Sequence, residues 1–147
     1  MLANLTGADY DEVVAATGRE PLALADSFPF NTQVALLKGK PVALFGVGRD
    51  AEGTHPFLLT TPEVRSSRLS RFIVEYGREQ VAFWGYCHGT LSNVVYTKNH
   101  AHIRFIRAMG FTLGETSRRG PLLLPFTEFS YVPSSTRGSA RNARVGR

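Results

Sequence analysis

The stretch that most constrains this chain is residues 99–111, Asn-His-Ala-His-Ile-Arg-Phe-Ile-Arg-Ala-Met-Gly-Phe. It reads as a short helix with a marked start and stop. Asn99 is a good N-cap, since its side chain can accept a bond from a first-turn amide. Gly110 suits the position just past the end, since it enters the left-handed conformation without steric penalty. At about 100° per residue, Ala101, His102, Ile103, Phe105, Ile106, Ala108 and Met109 share one broad sector, and Arg104 and Arg107 fill the remainder. A β-rich run (90–97) precedes this helix, and another extended stretch begins at Phe111.

The rest of the chain supplies the other layers. Residues 6–18 read as a helix capped by Asp9 and stopped by Gly18, and Pro21 opens a second short one through Ala25. Residues 32–37 and 41–47 form a hairpin about Lys38-Gly39-Lys40. The almost wholly apolar second arm predicts a central strand covered on both faces. Residues 49–54 read as a polar loop and 56–61 as a further buried strand. Thr61-Pro62 starts a long helix to about Tyr86, in which Leu69, Phe72, Ile73, Tyr76, Phe83 and Trp84 recur at helical spacing and Gly77 is a weak point. Residues 111–116 and 122–132 close the order as strands about Arg118-Arg119-Gly120-Pro121. This predicts an α/β (α+β) domain over residues 1–132, with one mixed sheet and helices on both faces.

Charge is concentrated at one end. The chain has 147 residues and a formal charge of +5. Four of its 17 basic residues, Arg137, Arg141, Arg144 and Arg147, lie in an acid-free tail (133–147), so the body holds 13 basic against 12 acidic residues. A body so nearly neutral lacks the basic face of a nucleic-acid reader. The tail is expected to be a flexible arm for a partner, with nucleic-acid phosphates the weaker choice. No run is long enough to span a membrane, no secretory signal is evident, and the single cysteine, Cys87, excludes an internal disulfide.

The element order and the segment from Asn99 through Ala101, Ile103 and Phe105 to Gly110-Phe111 resemble the GNAT acyltransferase fold. Residues 41–47 and 58–61, Asn93-Val94-Val95, Asn99, His102-Ile103-Arg104-Phe105 and Met109-Gly110-Phe111 are together similar to short GNAT-like proteins of tailed bacteriophages, including an internal virion or assembly protein of podophages. The resemblance covers roughly residues 8–132. It implies a GNAT-like mixed sheet and, in enzymes of the fold, an acetyl-CoA site. Carried onto this chain, Leu58, Leu59 and Thr60 would offer backbone bonds to the pantetheine. Val64, Arg65, Ser66, Ser67 and Arg68 would meet the pyrophosphate, and Asn93 or Asn99 would line the site. Two departures stand out. The segment 64–70, Val-Arg-Ser-Ser-Arg-Leu-Ser, has none of the glycines that bring backbone close to a pyrophosphate. Ile106 stands where the family often has a Tyr that protonates the departing thiolate, and it cannot transfer a proton.

From these departures the chain is expected to be a non-catalytic phage virion or assembly protein without a cofactor. As such it would act as a protein-binding module for phage structural proteins through its tail, in the virion or the host cytoplasm. The alternative is an acetyl-CoA-dependent N-acyltransferase acting on an amine. His102 is the one candidate proton-transfer residue, and its ordinary reading is a buried His bonded to backbone. His100 and His102 point about 200° apart on a helix, so no metal site is expected. Cys87-His88 lacks an orienting third group and reads as an ordinary junction.

Overall fold

The structure, a computed structural model, describes residues 1–29 and 31–134, so the arginine-rich tail predicted as a partner arm, with Arg137, Arg141, Arg144 and Arg147, lies outside the described residues. Six strands form one sheet in the order β1-β2-β3-β4-β6-β5. They are β1 (Gln33–Leu37), β2 (Lys40–Asp50), β3 (Gly53–Thr60), β4 (Leu91–Tyr96), β5 (Thr112–Arg119) and β6 (Leu124–Tyr131). The helices are α1 (Gly7–Thr17), α2 (Ser67–His88) and α3 (His100–Ala108), with 3-10 turns at Leu2–Asn4, Pro21–Ser27 and Pro62–Arg65. All neighbours are antiparallel except β3 and β4, which run parallel. Among the described residues no helix is long and apolar enough to cross a membrane.

Turn chemistry fixes the first two hairpins. Lys38 (φ 50°) and Gly39 (φ 77°) both take positive φ, the geometry of a two-residue turn whose twist matches its strands. The expected polar loop at 49–54 is instead a tight hairpin, with Asp50 paired to Gly53. Asp50 Oδ1 accepts bonds from the amides of Glu52 (2.8 Å) and Gly53 (3.2 Å), and this local capping closes the turn.

The helices divide between the two faces. Val95 and Tyr96 are adjacent on β4 and so point to opposite sides. Tyr96 packs with Ala15 of α1 and with Phe126, whereas Val95 packs with Val81 and Trp84 of α2, Ile106 of α3 and Phe129. α1 therefore covers one face, and α2 and α3 cover the other.

Several local expectations need correction. Thr6, not Asp9, caps α1, and its Oγ1 accepts the Asp9 amide at 3.1 Å. The residues after Thr61 form a 3-10 turn, and the α-helix proper starts at Ser67, capped by Ser66. Only part of the apolar series on α2 is buried. Ile73 and Trp84 are, but Phe72 and Phe83 are exposed, because the sheet covers a stripe narrower than the apolar sector. Gly77 is no mere weak point. A Cβ there would lie 2.8 Å from Met109 Cε, and one at Gly85 would lie 2.7 Å from Tyr131 Cε1. Both glycines let α3 and β6 press against α2.

Candidate functional site

β3 and β4 are joined by one ladder pair, Thr54 with Leu91, and then part company. Beyond that pair, side chains span the gap: His55 Nδ1 lies 2.8 Å from the Ser92 carbonyl, and Asn93 Nδ2 donates to the Pro56 carbonyl at 2.9 Å. Burial opposes a charge on His55, but its bonds to Asp50 and the Ser92 carbonyl outweigh it and raise the pKa above the usual histidine value. Backbone groups along a strand alternate sides. The Thr61 amide donates to Val42 on β2, while the Thr60 amide and carbonyl face the opposite way. Leu58 shares the orientation of Thr60, so its N–H and C=O face the gap beyond the last ladder pair.

The far end of the gap is closed by α1. Asp9 Oδ2 accepts from the amide (2.8 Å) and hydroxyl (2.7 Å) of Thr60 at the end of β3. Glu12, one turn on, accepts at Oε2 from the amide of Tyr96 at the end of β4 (3.0 Å). Asn99 joins the two carboxylates, its Nδ2 donating to Asp9 Oδ1 at 2.9 Å and to Glu12 Oε2 at 3.2 Å. Its Oδ1 accepts the His102 amide at 3.2 Å and so caps α3. The first turns of α1 and α3 are thereby tied to both diverging strands, and the buried carboxylates have the partners that burial demands.

His102 completes the cluster. Its Nδ1 is 3.2 Å from Glu12 Oε1, close enough for an ion pair although poorly aligned for a hydrogen bond. Both side chains are 12% exposed. Burial opposes a charge on His102, but the Glu12 carboxylate beside it, and Asp9 behind, prevail and hold its pKa above the usual histidine value. His102 thus faces a carboxylate across an ion-pair distance, where its ordinary reading had a ring bonded to backbone.

Two cavities meet at this ring. A small one of about 30 Å³ is lined by Thr6, Asp9, Thr60, Val64 and Arg65, and a large one of about 290 Å³ lies between β1–β3, α2 and α3. Leu58, His102 and Phe105 line both.

The residues expected to hold a donor are only partly gathered. Leu58 and Arg65 line the cleft. Arg68 is exposed in the first turn of α2, where the helix dipole favours an anion. Ser66 spends its hydroxyl on capping α2, accepting the Leu69 amide at 3.4 Å. Ser67 opens α2 with its backbone. Leu59 and Val64 are buried in the core, and the backbone groups of Thr60 are already bonded to Asp9 and Thr6. Asn93 bridges strands, and Asn99 serves the carboxylates. The sequence reading missed Asp9 and Glu12 as site residues, because Asp9 read as the cap of α1 and Glu12, one turn on, carried no local signal. His100 is exposed and Cys87 is exposed. Among the described residues no group of three or more His, Cys, Asp or Glu side chains is arranged to hold a metal ion.

No family model and no curated protein matches the chain in sequence. Solved structures do match. A GNAT-family acetyltransferase from Streptococcus pneumoniae is 16% identical with TM-score 0.56, covering 88% of this chain and 83% of its own. The ribosomal-protein-S18-alanine N-acetyltransferase of Escherichia coli is 16% identical with TM-score 0.55, covering 85% of each chain. yncA of Salmonella typhimurium, solved with its cofactor acetyl-CoA, is 16% identical with TM-score 0.54, covering 67% of this chain and 62% of its own. The architecture is the GNAT fold. These neighbours overturn the expectation of a non-catalytic phage virion or assembly protein, for they are acetyltransferases, the class that the alternative reading named.

Proposed function

We propose that this chain is an acyl-CoA-dependent N-acyltransferase, with acetyl-CoA the simplest donor. The observation that carries the reading is the gap between β3 and β4, held to one ladder pair, with the Leu58 backbone turned into it and Arg65 at its mouth. An open strand edge can pair with the amides of a pantetheine arm as it would with another strand. The donor supplies an activated thioester. Arg65, Arg68 and the N-terminal end of α2 meet its phosphates in place of a glycine loop.

The chemistry needs an amine and a proton donor. The amine nitrogen attacks the thioester carbonyl, the N–C bond forms and the C–S bond breaks. The amine's surplus proton leaves to water, and the thiolate takes up a proton. Ile106, buried in the core, has none to give. His102 lies one helical turn before it, lines the cleft, and has its pKa raised by the Glu12 carboxylate beside it. It is therefore the candidate proton donor, with Glu12 and Asn99 as positioning residues. Alignment of donor and amine supplies the remaining acceleration.

The test is release of free thiol from acetyl-CoA in the presence of a panel of small amines and N-terminal peptides. Turnover that falls about 10²-fold in His102→Gln, with the substitution leaving donor affinity intact, supports the reading. A chain that binds no donor and releases no thiol with any of the panel contradicts it.

A further inference from the structure

We propose that the large cavity is an acyl-chain pocket, so that the preferred donor carries an aliphatic acyl group longer than acetyl. The inference rests on the acyltransferase reading and names its donor class. The cavity continues the cleft, since Leu58, His102 and Phe105 line both it and the small cavity at Arg65. A thioester held at the Leu58 backbone would direct its acyl group into this space. The walls include Phe45, Ile73, Trp84 and Met109, and the polar side chains among them are Gln33, Tyr76, Gln80 and His102.

The lining includes no carboxylate. An aliphatic amine is a cation at neutral pH, and a site for one would be expected to offer a negative partner. An acyl chain needs none and gains from apolar walls. At about 290 Å³ the cavity is near the lower end of small-molecule pockets, roughly 300 Å³ upward. It is far larger than an acetyl methyl requires. On the β1 side the wall is low, since Ala35 on the edge strand is small.

The experiment titrates the full chain with free CoA, acetyl-, butyryl-, hexanoyl- and octanoyl-CoA by calorimetry, which needs no acceptor. Affinity should rise about fourfold per added methylene until the pocket is full, then level off. Ala35→Phe and Gln80→Phe, which put bulk into the pocket from β1 and from α2, should each abolish that rise while leaving free CoA affinity unchanged. A thermal melt reports whether each variant is folded, and the two come from different elements. Equal affinity for all acyl lengths in a chain that binds CoA overturns the pocket and leaves the acyltransferase reading standing. No binding of CoA itself overturns the acyltransferase reading.

Discussion

Glu12 on α1 holds its Oε1 3.2 Å from Nδ1 of His102 on α3. The two helices lie on opposite faces of the sheet, and they meet only because β3 and β4 have separated between them. The pair thus reports directly on the splay that makes the cleft.

If Glu12 holds the proton on His102, Glu12→Gln lowers the His102 pKa. Burial then acts against the charge with only Asp9 opposing it. NMR titration of the His102 ring should show the midpoint fall. An unmoved midpoint would mean that the pair is a contact without consequence.

The same pair makes stability depend on pH with a definite sign. The folded pKa of His102 is raised above 6.5. Its contribution is therefore fully present below that value and is lost as pH rises through the folded pKa. His55 is raised in the same direction by Asp50, so the comparison must isolate one ring. Urea unfolding of the wild type and of His102→Gln should converge as pH increases from about 6 to 9, the wild type losing its advantage.

Asn99 is the joint of the cluster. Asn99→Ala removes two bonds to buried carboxylates and the cap of α3, and should destabilise by about 3 kcal/mol in urea unfolding. Asn99→Asp keeps the shape but loses both donors and adds a third carboxylate. It should be at least as damaging at neutral pH.

Much of this was legible in the sequence, for reasons that are local. Asn99 and Gly110 bracket α3 by capping chemistry, Lys38-Gly39 makes its turn by backbone conformation, and the β-rich composition of 90–97 marks β4. The splay was not legible, because it is the absence of pairing between strands 30 residues apart in sequence, and no local propensity encodes an absence. Asp9 and Glu12 were missed for a related reason. Their partners, Thr60, Tyr96, Asn99 and His102, come from three other segments, whereas Asp9 alone looks like a helix cap and Glu12 alone like an ordinary polar position of α1. His102 was placed correctly inside the apolar sector, but its carboxylate partner could come only from the fold.

Gly85 separates propensity from packing. Replacement by Ala would gain about 1 kcal/mol of helix propensity. Yet the new Cβ would lie 2.7 Å from Tyr131 Cε1, and the Tyr131 ring is backed by Phe111 at 6.1 Å. Overpacking should win, so that Gly85→Ala lowers stability by about 1–2 kcal/mol by chemical denaturation.

The most direct test of the central claim is calorimetric titration of the full chain with acetyl-CoA, repeated with Arg65→Ala and with S-acetyl-pantetheine, which lacks the nucleotide and its phosphates. The account predicts saturable one-to-one binding, weakened about tenfold by Arg65→Ala, with that substitution leaving the affinity for acetyl-pantetheine unchanged. No heat and no thermal shift with acetyl-CoA at about millimolar concentration, where even weak specific sites fill, would contradict it.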